Sequence, residues 1–189
     1  MEPAILVLVG AVVAALLALM VSYNRFVRQR VLIDEAWSGI DVELTRRHDL
    51  VPNLVRTVQA HAAHEREVLA GLVAAREAAT EHRADAPAAR QAYEDRVTAA
   101  LAQVLVRTEA YPELRASTSF LALQDELAHT EDRIAASRRF YNGNVRAYNT
   151  RVRTFPSQLV ANAFGFAVRD FFELRDPSLA GVPRVGPDL

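Results

Sequence analysis

The most prominent feature of the hydropathy pattern is one uncharged, apolar run near the N-terminus. It extends from Ala4 to Val21, and Ser22 and Tyr23 prolong it. Eighteen helical residues at about 1.5 Å each span nearly the hydrocarbon core of a bilayer. Glu2 precedes the run and no small-residue cleavage site follows it, so the marks of a secretory signal peptide are absent. The pattern therefore predicts a retained transmembrane anchor over residues 1–23.

The charges that flank this run predict its orientation. Arg25, Arg28 and Arg30 follow the run, whereas its N-terminal side carries only Glu2. Loops rich in arginine stay on the cytoplasmic side of a membrane. We therefore expect a single-pass membrane protein, with its N-terminus outside and its body in the cytoplasm.

The rest of the chain alternates apolar residues at spacings of four and three, which is the period of an amphipathic helix. The first helix should continue from the membrane to Arg47. A second helix should begin at Asp49, whose carboxylate can cap free N–H groups, with Pro52 in its first turn and an end near His82.

A third helix is predicted from about Ala88 to Ala110, and a long fourth helix should stop at Phe155, before Pro156. Long amphipathic helices with short links pack best as an antiparallel bundle. The predicted fold class is thus all-α, with an N-terminal transmembrane helix followed by a four-helix bundle. The predicted domains are the anchor at 1–23, the bundle at 24–174 and a flexible tail at 175–189.

Composition excludes several kinds of chemistry. The chain has no Cys and no Lys, which removes disulfides, thiolate nucleophiles and Schiff-base lysines. After Glu2, 22 acidic residues face 22 arginines, so the body as a whole is neutral. Proteins that bind nucleic acid usually carry a strong basic excess. We therefore expect no nucleic-acid partner.

Polar residues interrupt or border the apolar stripes, although charges are seldom buried unless they are paired. Such residues either form a polar layer that sets the register of the helices or line a groove for a partner, and we favour the first interpretation. The candidate residues are Asp41, Arg47, Asn53, Glu65, Arg138, Asn142 and Asn149.

Histidines offer a weaker, metal-based alternative. His61 and His64 are three residues apart on the predicted second helix, with Glu65 adjacent, so two imidazoles could share a face. Glu126 and His129 form half of a di-iron motif, but a second Glu-x-x-His is missing from the sequence. We expect no metal, no cofactor and no enzymatic activity, with a metal-dependent enzyme using His61, His64 and Glu65 as the alternative.

The segment after Pro156 is rich in phenylalanine. If the helices alternate in direction, the fourth helix delivers this segment to the membrane end of the bundle. The rings either cap the bundle or touch the lipid interface. The candidates are Phe164, Phe166, Phe171 and Phe172.

Ordered motifs give the chain a specific resemblance. They are Tyr23-Asn24, Glu35-Ala36-Trp37-Ser38-Gly39-Ile40-Asp41-Val42, Arg46-Arg47-His48-Asp49-Leu50-Val51-Pro52-Asn53-Leu54-Val55, His64-Glu65, Glu109-Ala110-Tyr111-Pro112-Glu113-Leu114, Thr130-Glu131-Asp132-Arg133-Ile134, Arg139-Phe140-Tyr141-Asn142, Tyr148-Asn149 and Phe155-Pro156-Ser157. This set resembles the LemA family from the anchor to Glu173. The resemblance implies an N-out, single-pass protein with a cytoplasmic helical bundle.

The same resemblance says little about chemistry. LemA-like proteins are mostly of unknown function; some lie beside genes for membrane metalloproteases, and one relative takes part in forming a bacterial organelle membrane. We therefore expect a scaffold or interaction protein whose partners are the lipid bilayer and other membrane proteins, with a membrane metalloprotease as a candidate by family analogy. Homo-oligomers that remodel a membrane are a further alternative. The partner, the pathway and the oligomeric state do not follow from the sequence.

Overall fold

The structure, a computed structural model, describes residues 2–62 and 64–174. Within these ranges all regular secondary structure is helical, which confirms the all-α prediction of an apolar N-terminal helix followed by a helical body. The predicted flexible tail at 175–189 lies outside the described residues. The helices are α1 (Glu2–His61), α2 (Arg66–Glu81), α3 (Pro87–Thr108), α4 (Pro112–Arg115), α5 (Thr118–Arg153) and α6 (Ser157–Phe164).

The chain folds as two compact units. The first, here called the anchor unit, comprises residues 1–40 and 137–171, and the second, the core unit, comprises residues 41–136 and the segment that begins at Phe172. Helices α1 and α5 each supply residues to both units.

In the anchor unit, the apolar run of α1 is exposed along its whole length and no other protein segment covers it within the described residues. This helix is long and apolar enough to cross a bilayer. Beyond the run, Phe26, Ile33 and Ile40 are buried at intervals of seven residues, so one stripe of α1 faces protein.

The core unit has one continuous hydrophobic core. Helix α1 contributes Val51, Leu54 and Val58, and α2, α3 and α5 add buried leucines and valines at the same four/three spacing. This core orders the polar groups described below.

The predicted start of a second helix at Asp49 is wrong, because α1 continues through Pro52 to His61. A proline within a helix removes the N–H that would bond the carbonyl four residues earlier, which here is the carbonyl of His48. Arg76 of α2 supplies the missing donor, since its Nε–H bonds the His48 carbonyl at 2.9 Å. Instead, α1 ends at His61 and α2 begins at Arg66.

The other helix ends are close to prediction. Helix α3 begins at a proline, which suits the first turn, and ends at Thr108, shortly before Pro112. Helix α5 ends at Arg153, three residues before Pro156. The short helices α4 and α6 follow these prolines and were not predicted.

The bond between Arg76 and His48 can be tested. Arg76→Met keeps the aliphatic stem but leaves a carbonyl of α1 without a donor, so we expect the free energy of unfolding to fall by about 1–3 kcal/mol. Pro52→Ala restores the backbone N–H, so in that background Arg76→Met should cost clearly less. The measurement is a double-mutant cycle on the detergent-solubilised full chain, in which the helical circular dichroism signal monitors the unfolding of each variant by denaturant. If Arg76→Met lowered the free energy of unfolding equally with Pro52 and with Pro52→Ala, Arg76 would not be replacing the missing backbone donor.

Candidate functional site

A series of charged side chains that alternate in sign crosses the core unit. We call it the ion ladder, and its members in order are Glu131, Arg47, Glu94, Arg90, Asp41 and Arg83. They come from α1, α3, α5 and the link between α2 and α3. The three cations and three carboxylates balance.

Arg47 is the most deeply buried cation of the ladder, with 0% of the residue exposed. Its Nη1 donates to Glu131 Oε1 and to Thr98 Oγ1, each at 2.9 Å, and its Nη2 donates to Glu94 Oε2 at 2.8 Å. The guanidinium of α1 is therefore held by α3 and α5 together.

Arg90 continues the ladder towards the surface. Its Nε donates to Glu94 Oε1 at 3.1 Å and its Nη1 donates to Asp41 Oδ1 at 2.6 Å. Asp41 in turn accepts from Arg83 Nη2 at 2.6 Å. Because Arg83 and Glu131 are partly exposed, the ladder is buried in its middle and reaches solvent at both ends.

Helical spacing explains the alignment on α3. Arg90, Glu94 and Thr98 are four residues apart, so they lie on one face of the helix. The same four/three series continues through the buried Val97, Leu101, Val104 and Thr108. Arg90 and Glu94 therefore lie on the same stripe of α3 as the buried apolar residues, which follow from Val97 onwards.

The charges around Glu94 keep it ionised. Burial alone raises the pKa of Glu94, but the hydrogen bond with His48 and the charge of Arg47 outweigh burial and lower it. His48 Nε2 lies 3.1 Å from Glu94 Oε2. The pKa of Asp41 is also lowered, because its bonds to Arg83 and Arg90 exceed the effect of burial. Carboxylates whose pKa moves away from neutrality are suited to structural ion pairing rather than to general acid–base catalysis at neutral pH.

The seven predicted polar residues lie in both units. Asp41 and Arg47 belong to the ion ladder. Asn53 is exposed and accepts from Arg56 of its own helix. Glu65 lies in the link after α1, where it accepts from Tyr111 Oη at 3.1 Å.

Arg138, Asn142 and Asn149 belong to the anchor unit. The Asn149 amide bonds both backbone groups of Arg169, each at 2.8 Å, and so ties the segment after α6 to α5. Within each unit, the predicted polar side chains thus take part in distinct local contacts.

Sequence reasoning missed Arg90, Glu94 and His48. Two neighbours on α3 could continue its buried stripe before Val97: Tyr93 is half-buried, whereas Glu94 is fully buried. Continuing the four/three spacing backwards from Val97 leads to Glu94 and Arg90, so a usable signal was present.

A groove of about 490 Å³ lies beside one end of the ladder. Its walls are mostly apolar and come from α3 and α5, with Leu101, Leu105 and Leu127 among them. Thr98 and Glu131 line the same groove and both contact Arg47. At this end of the ion ladder, the same side chains therefore take part in a helix contact and line a groove.

The histidine-based metal hypothesis loses its geometric basis. His61 is the last residue of α1 and His64 lies beyond the helix end, so the two do not share one helical face. Among the described residues, no group of three or more His, Asp and Glu side chains could hold a metal ion. Glu126 pairs with Arg46 at 2.8 Å, and His129 lies 3.5 Å from Asp125.

The four candidate interface rings are not equivalent. Phe166 is only 7% exposed and stacks on Phe26 with ring centroids 4.7 Å apart, and Phe172 is fully buried. Gly165, at φ 70°, ends α6 and turns the chain so that Phe166 points inward. Phe166 and Phe172 are therefore packed against protein. Phe164 and Phe171 remain exposed.

Fold and site together define an all-α, membrane-associated helical protein with an ionic core. The LemA family model matches residues 36–186, and the chain belongs to that family. The chain is also similar to magnetosome protein MamQ 2 of Paramagnetospirillum magneticum, at 24% identity over 95% of this chain and 74% of that protein. MamQ of Magnetospirillum gryphiswaldense is 24% identical over 86% of this chain and 68% of that protein.

The ladder makes a prediction about stability. Glu94→Leu would leave Arg47 and Arg90 buried without their shared carboxylate, which should lower the free energy of unfolding by about 3–5 kcal/mol. Replacing all three groups in Arg47→Met/Arg90→Met/Glu94→Leu removes the buried charges as well, and Asp41 and Glu131 can meet solvent. The triple variant should therefore be more stable than the single variant in denaturant unfolding of the full chain. A triple variant as unstable as Glu94→Leu would contradict this explanation.

The lowered pKa values predict acid sensitivity. The ordinary pKa values are 4.5 for Glu94 and 3.8 for Asp41, and both are lower in the folded chain. The unfolded chain therefore binds more protons in this range. Stability that is complete above about pH 5 should be lost progressively as the pH falls below about 4 and through the lowered pKa values of the folded chain. Asp41→Asn should reduce the slope of melting temperature against pH, whereas Asp132→Asn, on the exposed face of α5, is the matched control. Identical slopes in Asp41→Asn and the unsubstituted chain would refute the assignment.

Proposed function

We propose that this protein is a membrane-anchored, non-catalytic interaction protein, with a single span, an external N-terminus and a helical body in the bacterial cytoplasm. One observation carries the proposal: the exposed apolar run and the buried core stripe belong to the same uninterrupted helix α1. A body built on a spanning helix is held at a fixed place at the membrane surface. Such an arrangement suits the presentation of a binding surface.

The chemistry of the core unit supports a non-catalytic role. Glu94 engages Arg47, Arg90 and His48 at once, so its oxygens are occupied. Catalytic acids and bases need a pKa near the working pH and access to a substrate. A buried carboxylate with a lowered pKa meets neither need.

The similarity to magnetosome proteins and the apolar N-terminal helix both support a membrane location. We propose the lipid bilayer and other membrane proteins as partners. A membrane metalloprotease remains a candidate by family analogy, and self-association is compatible with the same anchoring.

The topology can be tested with reporters. Alkaline phosphatase fused after Leu189 should be inactive and a fluorescent protein at the same place should be bright, because the arginines after the span keep the body inside. Arg25→Asn/Arg28→Asn/Arg30→Asn should weaken this bias, whereas Arg56→Asn, far along the body, is the control. A strongly active phosphatase fusion in the unsubstituted chain would sink the proposed orientation.

A further inference from the structure

The neutrality of the whole chain hides a strong separation of charge. In the anchor unit, residues 22–40 and 137–171 hold nine arginines and three carboxylates, a net charge of +6. Residues 41–136 of the core unit hold 11 arginines and 16 carboxylates, a net charge of −5. The three carboxylates in these parts of the anchor unit are Asp34, Glu35 and Asp170. Asp34 pairs with Arg169 at 3.2 Å.

The fold brings the basic part of α5 next to the end of the apolar run. Trp37 of α1 contacts Tyr141 of α5, and Phe26 contacts Tyr148. With increasing residue number, α5 therefore approaches the apolar run of α1. After α5, the ring of Phe164 lies 5.0 Å from that of Tyr23, which is two residues past Val21. Arg146, Arg151 and Arg153 therefore belong to the same end of the unit as Arg25 and Arg28.

These arginines lack carboxylate partners within the described residues. Arg25, Arg28, Arg146 and Arg153 are exposed, and the structure records no ion pair for them. The guanidinium of Arg151 lies 5.9 Å from the centre of the Phe26 ring, and its Nε has no hydrogen-bond partner. Burial and the charge of Arg25 lower the pKa of Arg151.

Exposed apolar side chains occupy the same end. Phe155 is 75% exposed, Leu159 62% and Phe164 49%. Leu159 and Phe164 lie on the short helix α6, and Phe155 lies two residues before its start. Apolar rings bordered by unpaired cations, next to a membrane-spanning segment, are typical of a surface that binds the interface of an anionic bilayer.

We propose that the end of α5 and helix α6 form a second membrane contact that recognises anionic phospholipid. Phe155, Leu159 and Phe164 enter the interface, while the arginines of α5 join Arg25 and Arg28 in binding headgroup phosphates. The inference rests on the proposed anchoring of α1 in the membrane. It extends that function by assigning a lipid class and a site on the folded body.

The absence of cysteine makes a direct test possible on the full chain. Single cysteines at Leu159, Val12 and Leu121 are labelled with an environment-sensitive fluorophore, and the protein is reconstituted into nanodiscs of phosphatidylcholine with or without phosphatidylglycerol. Val12 reports the anchor, and Leu121, an exposed leucine of the core unit, is the matched aqueous control. Spin-labelled lipid then measures contact with the bilayer by quenching.

We expect the label at Leu159 to be quenched several-fold more strongly than the label at Leu121, and more strongly with phosphatidylglycerol than without it. Arg146→Gln/Arg153→Gln should remove most of the phosphatidylglycerol effect and its dependence on salt. Arg66→Gln/Arg115→Gln, with the same charge change on exposed residues of the core unit, should leave both unchanged.

The outcomes separate the inference from the function on which it rests. An unquenched label at Val12 would overturn the anchoring itself. A quenched label at Val12 with an unquenched label at Leu159 would overturn only the second contact. The same holds if the emission of the Leu159 label shifts without quenching, because a second protein copy rather than lipid would then cover this site. Quenching at Leu159 that is equal in both lipids and unaffected by Arg146→Gln/Arg153→Gln would overturn recognition of the anionic headgroup.

Discussion

The burial of one guanidinium determines how the helices of the core unit can meet. Arg47 has no exposed surface, and an isolated charge in such a place would be prohibitively costly. Its position is acceptable only while Glu94 of α3 and Glu131 of α5 stand within 3 Å of it. Any sliding of these helices past α1 separates those pairs, whereas sliding of purely apolar stripes would carry a smaller penalty. A change of register in the core unit would therefore leave buried charges unpaired as well as disturb apolar contacts.

The fold was predictable where the determinants are local. The apolar run, the four/three spacing and the prolines near positions 112 and 156 lie within a few residues of the helices that they define. The continuity of α1 was not predictable in this way, because Pro52 and Asp49 locally favour a new helix start. What reverses that preference is a donor from Arg76, which comes 28 residues after the carbonyl that it bonds.

The candidate site was only partly predictable for a related reason. Asp41 and Arg47 stood out because they interrupt or border the stripe of α1. Their partners Glu94, Arg90 and Glu131 lie on α3 and α5, so the pairing depends on how separate helices pack. The charge separation is also a tertiary property. The carboxylate-free stretches at 3–33 and 134–169 are separate in the sequence, and only the antiparallel contact of α1 with α5 unites them.

The uninterrupted helix α1 also gives the anchor and the body a common rotational phase. Each residue of an α-helix turns the chain by about 100°, so the lipid-facing positions of the run have a set angular relation to the stripe of Phe26, Ile33 and Ile40. A neighbouring span that selects one face of the anchor thereby selects which side of the body it meets. One residue inserted between Val21 and Ser22 would turn the apolar run by about 100° and leave the contact of Tyr23 with Phe164 in place, which makes azimuthal orientation an adjustable property of this protein.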